Sequence, residues 1–127
     1  MTCPIQQQIR ERISTLDGRP VIIESPYAGD RERNDRYLDE LIRAVALEGG
    51  APYASHRMLC GPLNDDDPAE RSLGMRLGRK MLRHLSAEGA IALFGTRYGY
   101  SAGMRIMWEW LESSNLWWPV YMHEIDA

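Results

Sequence analysis

The sequence is short of cysteine, histidine and lysine, and it has no long apolar run. Its two cysteines, Cys3 and Cys60, supply neither a disulfide framework nor a metal-ligand cluster. Its three histidines, His56, His84 and His123, stand at scattered positions and assemble no zinc site. Lys80 is the single lysine against fourteen arginines. The net charge is −3, with acids and bases interspersed, so no basic stripe marks a nucleic-acid groove. No apolar run approaches the roughly 20 residues needed to span a bilayer, so no membrane-spanning helix and no membrane partner are expected. The opening MTCPIQQQIRERIS lacks the apolar segment of a secretory signal, and a cytoplasmic location is expected. Internal repeats, low-complexity tracts and linkers are absent.

What remains is 127 residues with 44% apolar and 26% charged side chains, ordinary for one globular domain. A chain of this length buries about two thirds of its unfolded surface. The expected organisation is a single domain over 1–127, with residues 1–18 as an N-terminal helical extension.

Elements follow from periodicity. Ile5, Ile9 and Ile13 share a helical face behind Pro4. PVIIE at 20–24 reads as a strand buried on both faces. Asp30 is placed to cap a helix over 31–48, whose Leu38, Leu41, Ile42 and Val45 form one stripe ended by Gly49-Gly50. APYAS is a weak second strand, and 56–67 reads as loop. Asp67, Pro68 and Glu70 spell a capping box for a helix with Leu73, Leu77, Met81 and Leu85 on one face. Gly74 and Gly78 beside that stripe allow close packing. GAIALFG is the third strand, Ser101 caps a helix carrying Met104, Met107, Trp108 and Leu111 up to Asn115, and WPVYMHEI is the last strand. Alternating helices and strands of these lengths imply an α/β fold with a parallel sheet of about four strands and helices on both faces.

Ligands in such sheets bind beyond the carboxyl ends of the strands. The segments 25–30, 55–67 and 95–103 are therefore expected to converge. Each of their residues carries a functional and a structural reading. Ser25 and Tyr27 end the first strand; Tyr27 either meets a ligand or packs on the next helix. Arg33 and Asn34 open that helix, and Asn34, a poor helix former, either serves a ligand or bonds the preceding loop. His56 is a ligand donor or a satisfied loop residue. Asp65 and Asp66 hold a ligand hydroxyl or a cation, or simply complement a helix dipole. Arg71 pairs with an aspartate or binds phosphate. Tyr100, Ser101, Gly103 and Met104 form a glycine-rich entry to a helix N-terminus, an anion-friendly arrangement. Glu109 is an active carboxylate among tryptophans or an exposed one. The aromatic C-terminal quarter, with Trp108, Trp110, Trp117 and Trp118, fits core packing or a subunit interface better than base stacking.

The stretches VIIESPYAGDRERNDRYL, APYASH, LNDDDPAERSLGMRLG and GYSAGM followed by Glu109 carry a resemblance. In that order they resemble the nucleoside 2-deoxyribosyltransferase-like family, in its small branch from phages and their hosts. The resemblance implies a flavodoxin-like Rossmannoid three-layer sandwich in a homodimer or larger homo-oligomer. It also implies cleavage or transfer of an N-glycosidic bond without any cofactor or metal. A glutamate on the helix after the third strand attacks the anomeric carbon in that family. Glu109 would take that role, Tyr27 would orient it, and Asp65 or Asp66 would protonate the base. Ser101 and Gly103 would hold a 5′-phosphate. The spacing departs from the family's: its glutamate stands where this chain has Met107, and Glu109 lies two residues on, about 200° around a helix. The alternative is a non-catalytic binder of a nucleotide or nucleotide-derived signal, such as a phage sponge for a host defence signal. Arg33, Arg71 and Arg97 would then meet phosphates.

Overall fold

The computed structural model describes residues 3–14, 16–114, 116 and 119–127. Helix α1 spans Pro4–Arg12, strand β1 Pro20–Glu24, α2 Arg31–Leu47, β2 Ala51–Tyr53 and α3 Ser55–Leu59. Then follow α4 at Pro68–Ser86, β3 at Ile91–Gly95, α5 at Ala102–Ser113 and β4 at Met122–Ile125. The four strands are parallel throughout and ordered β2-β1-β3-β4. The fold is an α/β three-layer sandwich of the Rossmann-like kind.

Crossover handedness explains the layers. The connection from β1 to β2 steps one way along the sheet, and those from β2 to β3 and β3 to β4 step the other way. Right-handed crossovers therefore put α2 on one face and α4 and α5 on the opposite one. Residue alternation along β1 follows suit. Val21 and Ile23 pack with Tyr37, Leu38 and Leu41 of α2, whereas Ile22 packs with Leu82, Phe94, Met104 and Met107. That wiring leaves the α2 face uncovered near β4, and α1 fills the space. Its Ile5 and Ile9 are buried in the α2-side core, and Gln8 Oε1 accepts the N–H groups of Asp126 and Ala127 at 3.0 and 3.1 Å. The N-terminal helix is thus part of the core rather than an appendage.

Close approach on the α2 face depends on Gly95. A Cβ there would fall 2.5 Å from Leu41 Cδ1 and 2.9 Å from the Tyr37 hydroxyl. That hydroxyl donates to Ala127 O at 3.0 Å and accepts from Arg97 N at 3.2 Å, so the buried phenol is satisfied.

Four local expectations are corrected. The 56–67 segment is not wholly loop, because Ser55–Leu59 forms α3. On α4 the buried residues are Gly78, Leu82 and Ser86, while Leu77 and Met81 are exposed. The stripe is displaced by one residue, about 100° of rotation. The glycine pair explains why: Gly78 meets Ser55 and Gly74 faces Leu59 and Leu63, so the glycine side of α4 turns inward to receive α3. The α4 capping box is not reciprocal either: Asp67 accepts from Ala69 N at 3.0 Å, but Glu70 reaches Asn64 N at 3.2 Å. Strand β4 begins at Met122, later than the sequence pattern indicates. Asn115, expected to end α5, lies outside the described residues, as do Trp117 and Trp118.

Candidate functional site

Strand β1 is flanked by β2 on one side and β3 on the other, so the chain reverses its stepping direction there. The carboxyl ends of β1 and β3 diverge into loops on opposite faces, which opens a crevice. A cleft of about 190 Å³ occupies this place. Glu24, Ser25 and Tyr27 line it from the end of β1, Ser55, His56 and Cys60 from α3 and its exit. Asp65, Glu70, Arg71, Met75 and Arg79 line it from the approach to α4 and α4 itself, and Ser101, Gly103, Met104 and Met107 from α5. The three segments expected to converge do so.

Helix α5 presents its N-terminus here. Ser101 Oγ accepts from Met104 N at 3.2 Å, which caps the helix. The first-turn N–H groups of Ala102 and Gly103 have no intrahelical acceptor and, with the helix dipole, favour an anion. Tyr27 donates to Cys60 O at 3.3 Å and stands edge-on to the His56 ring. Ser25 is buried, with its Oγ 3.1 Å from His56 Nε2. Asp65 and Arg71 lie on the α4 side of the rim.

Other candidates fall outside. Glu109 is exposed on α5 and does not line the cleft; Met107 does, as the 200° helical offset requires. Asp66 is exposed beyond the lining, while Asp65 belongs to it. Asn34 Nδ2 donates to Tyr27 O and Ala28 O at 3.2 and 3.0 Å, so it holds the loop after β1 from behind. Arg33 donates to Asn34 Oδ1 and stacks 4.0 Å over the Tyr98 ring. Arg97 pairs with Glu40 at 2.8 Å on the α2 side. Tyr100 packs against Phe94 and Trp108, and burial and a hydrogen bond to Glu124 push its phenol up to about 12.

Sequence reasoning passes over two groups that the cleft contains. Glu24 closes β1, two residues after Ile22 and hence on the α5 face, and is 8% exposed. Its Oε1 has no hydrogen-bond partner. Burial pushes its carboxyl up to about 8, so the group is mostly neutral at pH 7. The signal was an acid inside a strand whose pattern demanded burial on both faces. Arg79 is the second; its side-chain Nε is likewise buried and unpartnered. Its inward orientation is hidden by the apolar stripe that points α4 the wrong way.

His56 completes the pattern. Burial, then the Arg57 charge, lowers its imidazole to about 4, against an opposing pull from Asp35. The ring is neutral, and whichever tautomer pairs with Ser25, the buried Nδ1 is left over. Glu24 Oε1, His56 Nδ1 and Arg79 Nε are the buried side-chain polar atoms without partners among the described residues, and all three belong to residues lining this cleft. Buried polar atoms are otherwise paired almost without exception. Together they offer a proton donor, a neutral imidazole nitrogen and a guanidinium N–H. No group of three or more His, Cys, Asp or Glu able to hold a metal occurs among the described residues, and no described helix is long and apolar enough to cross a membrane.

Residues 19–119 match the model of a family described as a domain of unknown function (DUF7768). No curated protein and no solved structure matches the chain. The matched stretch runs from β1 through α5 and contains every residue lining the cleft. The chain belongs to the DUF7768 family.

Proposed function

We propose that the protein acts on a nucleoside or nucleotide, cleaving or transferring its N-glycosidic bond in the cleft at the carboxyl end of β1, between α3, α4 and α5. The observation that carries this reading is the gathering of the three unpartnered buried atoms of Glu24, His56 and Arg79 around one cleft. Leaving them unpaired costs about 1–3 kcal/mol each, and more for the charged one, so the fold retains them for a ligand that supplies partners. A phosphate suits Arg79 and the α5 N-terminus, and a base edge suits the carboxyl of Glu24 and the imidazole of His56. The resemblance to the nucleoside 2-deoxyribosyltransferase-like family supports the same substrate class, and a homodimer or larger assembly belongs to that reading. The test is incubation with a panel of deoxynucleosides and their 5′-monophosphates, followed by chromatography. Free or exchanged base is expected from at least one of them; none from any rejects catalysis.

A second reading has its own observation: Met107 lines the cleft where the resemblance calls for a nucleophilic carboxylate. Under it the protein binds a nucleotide or nucleotide-derived signal without altering it. A raised melting temperature with nucleotides, ADP-ribose derivatives or cyclic dinucleotides, and recovery of the intact ligand from the complex, distinguishes this reading from the first.

A further inference from the structure

A carboxyl group in this cleft has two ways to help break a glycosidic bond: attack on the sugar as an anion, or proton donation to the departing base as an acid. The position of Glu24 separates them. Its side chain leaves the end of β1 on the α5 face, lines the cleft, and is almost wholly enclosed. One oxygen has no donor to accept from. An anion needs donors on both oxygens to offset the loss of water, so this enclosure favours the form that carries its own proton. The attacking place on α5 holds Met107, and a thioether is no substitute for a carboxylate there.

Resting on the glycosidic reading above, we propose that Glu24 is the proton donor to the leaving base, and that water rather than an enzyme carboxylate takes the sugar, making the protein a hydrolase and not a transferase. The C1′–N bond breaks and its electron pair goes to the base nitrogen. The proton of Glu24 goes to the base. A water oxygen bonds to C1′, and the proton that water sheds restores the acid form of Glu24. Substrate and water thus become free base and sugar phosphate, with nothing else consumed. Bases that leave poorly without a proton are the substrates such a site serves.

The experiment compares two leaving groups in wild type and Glu24→Gln, which keeps size and hydrogen bonding but has no proton to give. One substrate is a deoxynucleoside 5′-monophosphate; the other carries 4-nitrophenolate, which departs unprotonated, in place of the base. Base release is expected to fall by about 100-fold or more with KM little changed, the usual range for loss of a general acid. Nitrophenolate release is expected to change by less than about threefold. Excess free base is expected to yield no exchanged nucleotide. Equal losses for the two leaving groups in a variant at least as stable as wild type, or an exchanged product, overturn the assignment of Glu24 while the glycosidic reading survives. A wild-type protein inert to both substrates overturns the glycosidic reading itself, and the assignment with it.

Discussion

The two faces of the sheet differ in whether every buried polar group finds a partner. On the α2 side, Tyr37 is 1% exposed and its hydroxyl both donates and accepts, while Asn34, equally buried, spends its amide on two loop carbonyls. On the α5 side, Glu24 is 8% exposed and keeps an oxygen with no partner, and His56 and Arg79 do the same with a nitrogen each. Satisfied polar groups rigidify a scaffold, and unsatisfied ones cost stability unless a ligand meets them. The contrast separates the half of the molecule that holds the fold from the half that spends stability on a site.

The largest effect that sharpens this contrast lies on the scaffold face. Leu41 is fully buried against Tyr37, Gly95 and β3. Leu41→Ala is expected to cost about 4 kcal/mol, within the usual range for a buried leucine, and, on the proposed reading of the cleft, to leave nucleotide affinity unchanged. Urea denaturation and calorimetric titration read the two quantities. A loss below about 1 kcal/mol would remove the distinction between a tight face and an open one.

On the site face the sign reverses. Glu24 ionises near 4.5 when unfolded and near 8 when folded. Between those values the folded state holds a proton that the unfolded state has released, so stability falls as pH rises through this window and is level above it. Glu24→Gln has no such proton to hold. It is expected to gain about 4 kcal/mol relative to wild type at pH 8 and almost nothing at pH 4. His56 works against Glu24 in part of the range. Its folded value near 4 lies below the ordinary 6.5, so it lends stability that is lost as pH falls through 6.5 towards 4. The two contributions oppose each other from about 4.5 to 6.5, and the decline due to Glu24 stands alone from 6.5 to 8. Urea midpoints at pH 4, 6.5 and 8 test this, and a variant no more stable than wild type at pH 8 contradicts the buried neutral acid.

The order of elements was readable because each carries its own period or cap: the Val21–Ile23 run, the Leu38–Leu41–Val45 stripe, the Ser101 cap. The converging loops followed from the parallel order and the switch-point rule. Legibility ended where two elements fix each other. Leu73, Leu77, Met81 and Leu85 make a good apolar stripe, yet α4 turns by one residue because α3 needs the flat side made by Gly74 and Gly78. With that turn Arg79 comes inward. Glu24 was missed for a different reason: a charge at a strand end reads as the point where the chain meets solvent, and only the packed loops around it show that solvent is excluded.

A smaller effect tests the satisfied side of the comparison. Tyr37→Phe removes the hydroxyl that serves Ala127 O and Arg97 N. The aromatic ring and its packing remain, so the cost is the two broken bonds and the groups left behind, about 1–2 kcal/mol at any pH between 5 and 8. A gain in stability would mean that the α2 face tolerates orphaned groups as readily as the cleft does.

The smallest expected effect concerns the residue that motif spacing singles out. Glu109 is exposed, two residues past the Met107 that lines the cleft, and its backbone carbonyl accepts from the Ser113 hydroxyl at 2.9 Å. A side chain rotated about 200° from the cleft-facing position on a rigid helix has no route inward without unwinding α5. That helix is held by the Ser101 cap and by the burial of Met104, Met107 and Leu111. Glu109→Ala is therefore expected to change stability by less than about 0.5 kcal/mol, as surface substitutions do, and base release or ligand affinity by less than about twofold. A loss of tenfold or more in either would mean that α5 rotates or bulges in the working protein, and that the carboxylate of the cleft comes from α5 rather than from the end of β1.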